Sequence, residues 1–138
     1  MKKLILTVGL PRSGKTTWAK KMNFPIVNPD SIRLALHGNQ FITEAEPMVW
    51  EIAKYMVKSL FLAGHNTVIL DATNTTVKKR KEWLSKEYDC YFKVFKTDSE
   101  ICKKRAIEKG QENLILIIEK MKLQFESLTN EEKEYLEK

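Results

Sequence analysis

"GLPRSGKTT" occupies residues 9–17, directly after the apolar run Leu4-Ile5-Leu6-Thr7-Val8 and before "WAKKM". From Gly9 to Thr16 it satisfies G-x-x-x-x-G-K-[ST] at every position. A chain that wraps a phosphate must turn its backbone N–H groups inward. Gly9 and Gly14 permit the close approach and unusual dihedrals this takes, and Pro11, Arg12 and Ser13 form the turn between them. A helix beginning near Lys15 aims its unpaired N–H groups and positive dipole end at the same anion. In this reading Lys15 reaches the β- and γ-phosphates of a nucleoside triphosphate and Thr16 gives its hydroxyl to Mg²⁺, with Thr17 beside it. A strand before and a helix after distinguish the loop from a chance match.

Outward from the loop, strands and helices alternate. Short apolar runs at 4–8, 24–28, 67–71 and 90–96 read as strands. Helices are expected from Lys15 to Met22, over 30–36 up to Gly38, and over 45–63 up to Gly64. Further helices are expected over 76–88, from Thr97 to Lys109 up to Gly110, and over 113–128 with a helical tail beyond. In the third of these, Val49, Ile52, Ala53, Met56, Val57 and Leu60 keep the i, i+3, i+4, i+7 rhythm. Thr43 with Glu46, and Thr97 with Glu100, have capping-box spacing. This order predicts an α/β fold: a P-loop NTPase-type three-layer α/β/α sandwich with a mostly parallel sheet of four or five strands. The 138 residues, 1–138, fit one domain.

Bulk composition narrows the partners. The formal charge of +6 favours anions such as nucleotides, nucleic acids and phosphorylated metabolites. The opening "MKKLILTVGL" is too short and lacks the small-residue site of a signal peptide, and no apolar stretch approaches a bilayer span. Cys90 and Cys102 lack metal-ligand spacing and read as reduced core thiols of a cytoplasmic protein. The run Leu114–Ile118 is wider than one helix face needs, as if buried on two sides or met by a second copy of the chain.

The strand ends carry the candidate chemistry, because in such a sheet they open onto the ligand crevice. "NPDSIR" puts Asp30 there, either as the N-cap of a short helix or as the base that takes a proton from an attacking hydroxyl. Arg33, one turn on, suits a phosphate of the acceptor. Asp71 follows "TVIL" as a carboxylate carried to the metal side, with Thr73 and Asn74 beside it. "DATNT" misses the D-x-D-x-T pattern of an aspartate-based phosphatase, so that activity is not expected. Arg105 and Lys109 share a helix face ahead of Gly110, as a lid closing on the transferring phosphate would require. The run "KKRK" (78–81) sprays around its helix and reads as mostly solvated, with only Arg80 able to face the crevice. His37 and His65 stand alone, and the three tryptophans, Trp18, Trp50 and Trp83, read as core. Residues 37–50 show no legible pattern.

"MKKLILTVGLPRSGKTTWAK", "NPDSIR", "LDATNTTVKKRKEW" and "KKRAIEKG", in that order, resemble the kinase domain of phage polynucleotide 5′-hydroxyl kinases, within the AAA/zeta-toxin-like P-loop kinases. The resemblance runs to about Phe125. It implies that Asp30 is the general base on a 5′-hydroxyl, that Arg33 grips the neighbouring phosphate, that Asp71 helps organise the acceptor site, and that Arg105 and Lys109 form the lid. The second lid residue in that family is arginine; lysine here cannot make the bidentate fork. The same loop also looks like small-molecule kinases, including zeta-type toxins, antibiotic phosphotransferases and gluconate-type kinases. Three functions follow as expectations: an ATP- and Mg²⁺-dependent kinase for the 5′-hydroxyl of DNA or RNA, a nucleotide or small-metabolite kinase, or a nucleotide-binding module without transfer chemistry.

Overall fold

A computed structural model describes residues 1–38 and 41–136. Four strands, β1 (Lys3–Val8), β2 (Ile26–Val27), β3 (Thr67–Leu70) and β4 (Asp89–Val94), form one sheet in the order β2-β3-β1-β4. Every pairing is parallel, with Leu6 opposite Leu70 and Phe92. The helices are α1 (Lys15–Lys21), α2 (Pro29–His37), α3 (Glu46–Leu62), α4 (Val77–Lys81), α5 (Ser99–Glu108) and α6 (Leu114–Gln124).

Both faces of the sheet are covered, as buried parallel strands demand. On one face Leu4, Leu6 and Val8 meet the α3 seam Val49, Ala53, Val57 and Phe61. These four recur every fourth residue, so one stripe of the helix enters the core. On the other face Ile5 and Ile69 pack against Ala19 of α1. A third cluster places Leu10 of the glycine loop under Cys102 and Ala106 of α5 and Ile118 of α6. The loop is therefore gripped from above as well as carried by β1. Both cysteines are buried free thiols, and burial pushes Cys90 up to about 12.

Several boundaries differ from the sequence reading. The helix expected over 76–88 is α4 alone, five residues long. Beyond it Trp83 plugs the core, Ser85 Oγ accepts the Glu87 N–H at 3.0 Å, and the Tyr88 hydroxyl donates to the Trp83 carbonyl. Local side-chain bonds of this kind compete with helix continuation. Helix α6 stops at Gln124 because the next residues are drawn onto the segment ahead of α4: Glu126 N–H donates to the Thr75 carbonyl at 2.8 Å. The tail is not an extended helix. A single 3₁₀ turn at Glu132–Tyr135 leads to Leu136, which bridges Phe92 of β4 in parallel. The last two positions of the expected tail, 137 and 138, lie outside the described residues. Helix α3 opens at Glu46 after a separate 3₁₀ turn at Thr43–Ala45, with Pro47 in its first turn, so Thr43 does not cap it. Of the apolar run opening α6, Ile118 is buried while Leu116 is 76% exposed.

Arg80 corrects the reading of the basic run. It neither faces the crevice nor is solvated: it is fully buried. Its Nε donates to Glu132 Oε2 at 2.8 Å and its Nη1 to the Asn74 carbonyl at 2.9 Å. Its Nη2 reaches the Glu126 carbonyl at 2.9 Å and Glu132 Oε1 at 3.1 Å. One guanidinium thus fastens the tail to the segment after β3.

Candidate active site

The glycine loop closes at the end of β1. Gly14, the residue before α1, has φ 103°, a value that a side chain would resist. Gly9 has a different need. A Cβ there would lie 2.8 Å from Ser13 Oγ and 3.0 Å from the Phe95 carbonyl oxygen. We expect Gly9→Ala to lower stability by about 1–3 kcal/mol through this overpacking and to weaken nucleotide binding by shifting the loop. A denaturation curve and a nucleotide titration check the two effects. Lys15 folds back over the loop, its Nζ donating to the Leu10 carbonyl at 2.5 Å and standing 3.4 Å from Ser13 Oγ. Burial pushes its pKa down to about 8, partly offset by the nearby carboxylates Asp71 and Asp30. A buried ammonium of this kind gains strongly from an anionic ligand.

Thr16 and Asp71 meet: the threonine hydroxyl donates to Asp71 Oδ2 at 2.7 Å. A hydroxyl and a carboxylate together are the oxygen donors a hard divalent cation takes alongside phosphate and water. Among the described residues no group of three or more His, Cys, Asp or Glu side chains converges as a metal cage. Asp71 is buried and lies against the loop helix.

Asn28, which the sequence reading overlooked, joins this pair to Asp30. Its Oδ1 accepts the backbone N–H of Asp30 at 2.8 Å and of Ser31 at 3.2 Å, making it the N-cap of α2. Its Nδ2 donates to Asp71 Oδ2 at 3.1 Å. The capping alternative for Asp30 is thereby overturned, since Asn28 holds that place and Pro29 starts the helix. The sequence carried the signal, an Asn before a Pro at a strand end. Asp30 is free of capping duty: its side chain is 87% exposed and accepts from Arg33 Nη1 at 2.7 Å.

Arg33 is held from the other side by Glu46, Nε to Oε2 at 2.9 Å and Nη2 to Oε1 at 2.5 Å. Those hydrogen bonds hold the Glu46 carboxyl below its ordinary range and push the Arg33 guanidinium up. Glu46 comes from the stretch 37–50 in which the sequence showed no pattern, two residues of which, 39 and 40, lie outside the described residues.

Thr73 and Asn74 brace the loop. The Thr73 carbonyl accepts the Gly9 N–H at 3.0 Å. Asn74 is buried, with its Nδ2 donating to the Thr7 carbonyl at 2.8 Å. Its Nδ2 is therefore turned to β1, while its Oδ1 is buried without a hydrogen-bond partner. On the far side, Arg105 Nη1 donates to the Arg12 carbonyl at 3.1 Å, so α5 already touches the glycine loop. Thr97 does not cap α5 as its spacing suggested; its hydroxyl donates to the Ser13 carbonyl at 2.9 Å. Lys109 is exposed at the C-cap of α5. Pro11 and Arg12 are half-buried in the loop, with Arg12 Nε buried and unpartnered, and Thr17 is exposed on α1. Thr16, Asp71, Asn28 and the backbone of Asp30 thus form one hydrogen-bonded chain, while Lys15 and Arg105 both bond to the backbone of the glycine loop.

Solved structures share this fold. A chain of a Pnkp1/Rnl/Hen1 complex matches with a TM-score of 0.68 and 31% identity, over 75% of this chain and 38% of that one. A chain of a Pnkp1/Rnl/Hen1 RNA repair complex matches with a TM-score of 0.70 and 24% identity, over 91% and 46%. A gluconokinase from Sinorhizobium meliloti 1021 shares the fold at 15% identity, with a TM-score of 0.63 over 94% and 78%. The chain spans less than half the length of the two repair-complex chains it matches. Among the described residues no helix is long and apolar enough to cross a membrane. The fold is that of P-loop kinases, and a family model described as AAA domain matches residues 4–128, so the chain belongs to the AAA domain family.

Proposed function

We propose that this protein is a phosphotransferase that moves the γ-phosphate of ATP, with Mg²⁺, to the 5′-hydroxyl of DNA or RNA. The observation that carries the reading is the bridge made by Asn28. One side chain ties the backbone of Asp30 to the carboxylate that holds Thr16. The backbone of residue 30 is thereby anchored beside the group that would hold the metal and the triphosphate, which supports reading its carboxylate as the base for an alcohol. The similarity to chains of Pnkp1/Rnl/Hen1 complexes, one of them described as an RNA repair complex, supports a nucleic-acid acceptor, as does the charge of +6.

Each residue has a defined task in this scheme. The loop amides and Lys15 bind the β- and γ-phosphates. Thr16 and Asp71 would hold Mg²⁺, which neutralises phosphate charge when bound. Asp30 accepts the proton of the 5′-hydroxyl as its oxygen attacks the γ-phosphorus. The bond from that phosphorus to the β–γ bridging oxygen breaks, and ADP leaves. Arg33 meets the acceptor's adjacent phosphate, while Arg105 and Lys109 steady the charge in flight.

The test is transfer from γ-labelled ATP to a panel of acceptors: 5′-hydroxyl oligodeoxynucleotides and oligoribonucleotides, nucleosides, nucleotides and sugars. Label on the oligonucleotides at a rate well above all other acceptors is expected. Label confined to a sugar or nucleoside, or oligonucleotide binding without transfer, would overturn the assignment.

A further inference from the structure

The side of Arg33 away from Asp30 leads to a second feature that the transfer chemistry does not use. The indole of Trp50 lies 5.9 Å from the Arg33 guanidinium and 5.9 Å from the Lys79 ammonium, measured to the ring centroid. Phe41, 65% exposed, lies 5.5 Å from the same guanidinium. Beyond Trp50 opens a cavity of about 280 Å³ lined by Trp50, Thr76, Lys78, Lys79, Glu82 and Trp83. Trp50 packs edge-on there against Trp83, with ring centroids 6.4 Å apart. Lys78 and Lys79 are exposed on α4.

Resting on the function proposed above, we infer that the Phe41–Arg33–Trp50–Lys79 array is a track for the acceptor strand, taking nucleotides beyond the one phosphorylated. Aromatic faces interleaved with cations suit a single-stranded nucleic acid, since every base presents a π-face and every linkage a negative charge. Proximity of cations to the rings adds cation–π attraction and keeps both kinds of contact on one path. The track begins at Arg33, 2.7 Å from Asp30, and leads away from it. An acceptor no larger than a mononucleotide would stop at Arg33 and leave the cavity empty. Two carboxylates border the track, Glu82 in the cavity lining and Glu46 on Arg33 beside Trp50, and both repel phosphate and so favour a path along the lysine side. Trp50 is core on one edge and platform on the other.

The experiment compares two acceptors on the full chain: a nucleoside 3′-monophosphate and a 3′-fluorescein-labelled 5′-hydroxyl oligonucleotide of roughly a dozen nucleotides. The variants are Trp50→Leu and the double change Lys78→Ala with Lys79→Ala. Because Trp50 touches the core, the exposed lysine pair serves as the variant that leaves the fold undisturbed. For the lysine variant kcat/KM on the oligonucleotide should fall about tenfold, with kcat/KM on the monophosphate unchanged. Trp50 borders the Glu46–Arg33 pair, so Trp50→Leu should lose about tenfold more on the oligonucleotide than on the monophosphate. The lysine variant should also flatten the salt dependence of oligonucleotide binding, read by anisotropy, by a slope of about two. Equal losses on both acceptors, or unchanged oligonucleotide binding, would overturn the track. If the parent transfers phosphate to neither acceptor, the function fails while anisotropy still decides the track: weaker binding by the variants supports it and unchanged binding overturns it.

Discussion

Asp30→Asn should reduce phosphoryl transfer by about 10²- to 10⁴-fold while leaving ATP affinity near that of the parent. The amide is nearly isosteric and still accepts from Arg33 Nη1, so the Asp30–Arg33 contact at 2.7 Å survives in weakened form. The α2 cap is untouched, because Asn28 uses the backbone N–H of residue 30 and not its side chain. What the amide cannot do is take a proton. The triphosphate cradle of loop amides and Lys15 stands apart from this substitution, so nucleotide titration should be almost unaffected. Single-turnover transfer and equilibrium binding, measured side by side, separate the two effects. A parent-like transfer rate would remove Asp30 from the base role.

Glu132→Gln should destabilise the protein by about 3–5 kcal/mol, lowering the melting temperature by roughly 10 °C or more. The Arg80 side chain is fully buried and Glu132 is 6% exposed, so removing the carboxylate leaves an uncompensated cation in the interior. Burial alone would push the Glu132 carboxyl up, but hydrogen bonds from Arg80 and Thr129 hold it below its ordinary value. A carboxyl depressed in the folded state stabilises at pH values above its unfolded pKa. That contribution fades as pH falls through the folded value. The gap between parent and variant should therefore be full near neutrality and shrink in acid below the ordinary glutamate range. Replacing both partners by apolar residues should not restore stability fully, because Arg80 also satisfies the carbonyls of Asn74 and Glu126. Thermal melts across pH check both the size and the direction.

The two ends of the chain differed in how much local pattern they carried. The glycine loop, its flanking strand and helix, and the parallel order of elements follow from local signals: spacing, apolar runs and glycine stops. Asp71 beside Thr16 followed the same logic, since a strand end fixes where its next residue goes. The roles of Glu46, Thr97 and Arg80 did not. Each is set by a partner far along the chain, with separations of 13 residues for Arg33 with Glu46, 84 for Thr97 with Ser13 and 52 for Arg80 with Glu132. Spacing rules describe neighbours within a few residues, so a capping-box pattern at Thr97 reads the same whether its hydroxyl turns to the helix or to the loop. Helix α4 failed for a related reason. Arg80 and Trp83 are drawn into the core by tertiary contacts that override a helix-favouring composition.

The most direct measurement is a structure of the complex with a non-hydrolysable ATP analogue, Mg²⁺ and a 5′-hydroxyl oligonucleotide. The account predicts Lys15 released from the Leu10 carbonyl onto the phosphates, and the Asp30 carboxylate within hydrogen-bond reach of the 5′-oxygen. A 5′-oxygen bound elsewhere, with Asp30 still engaged only by Arg33, would contradict it.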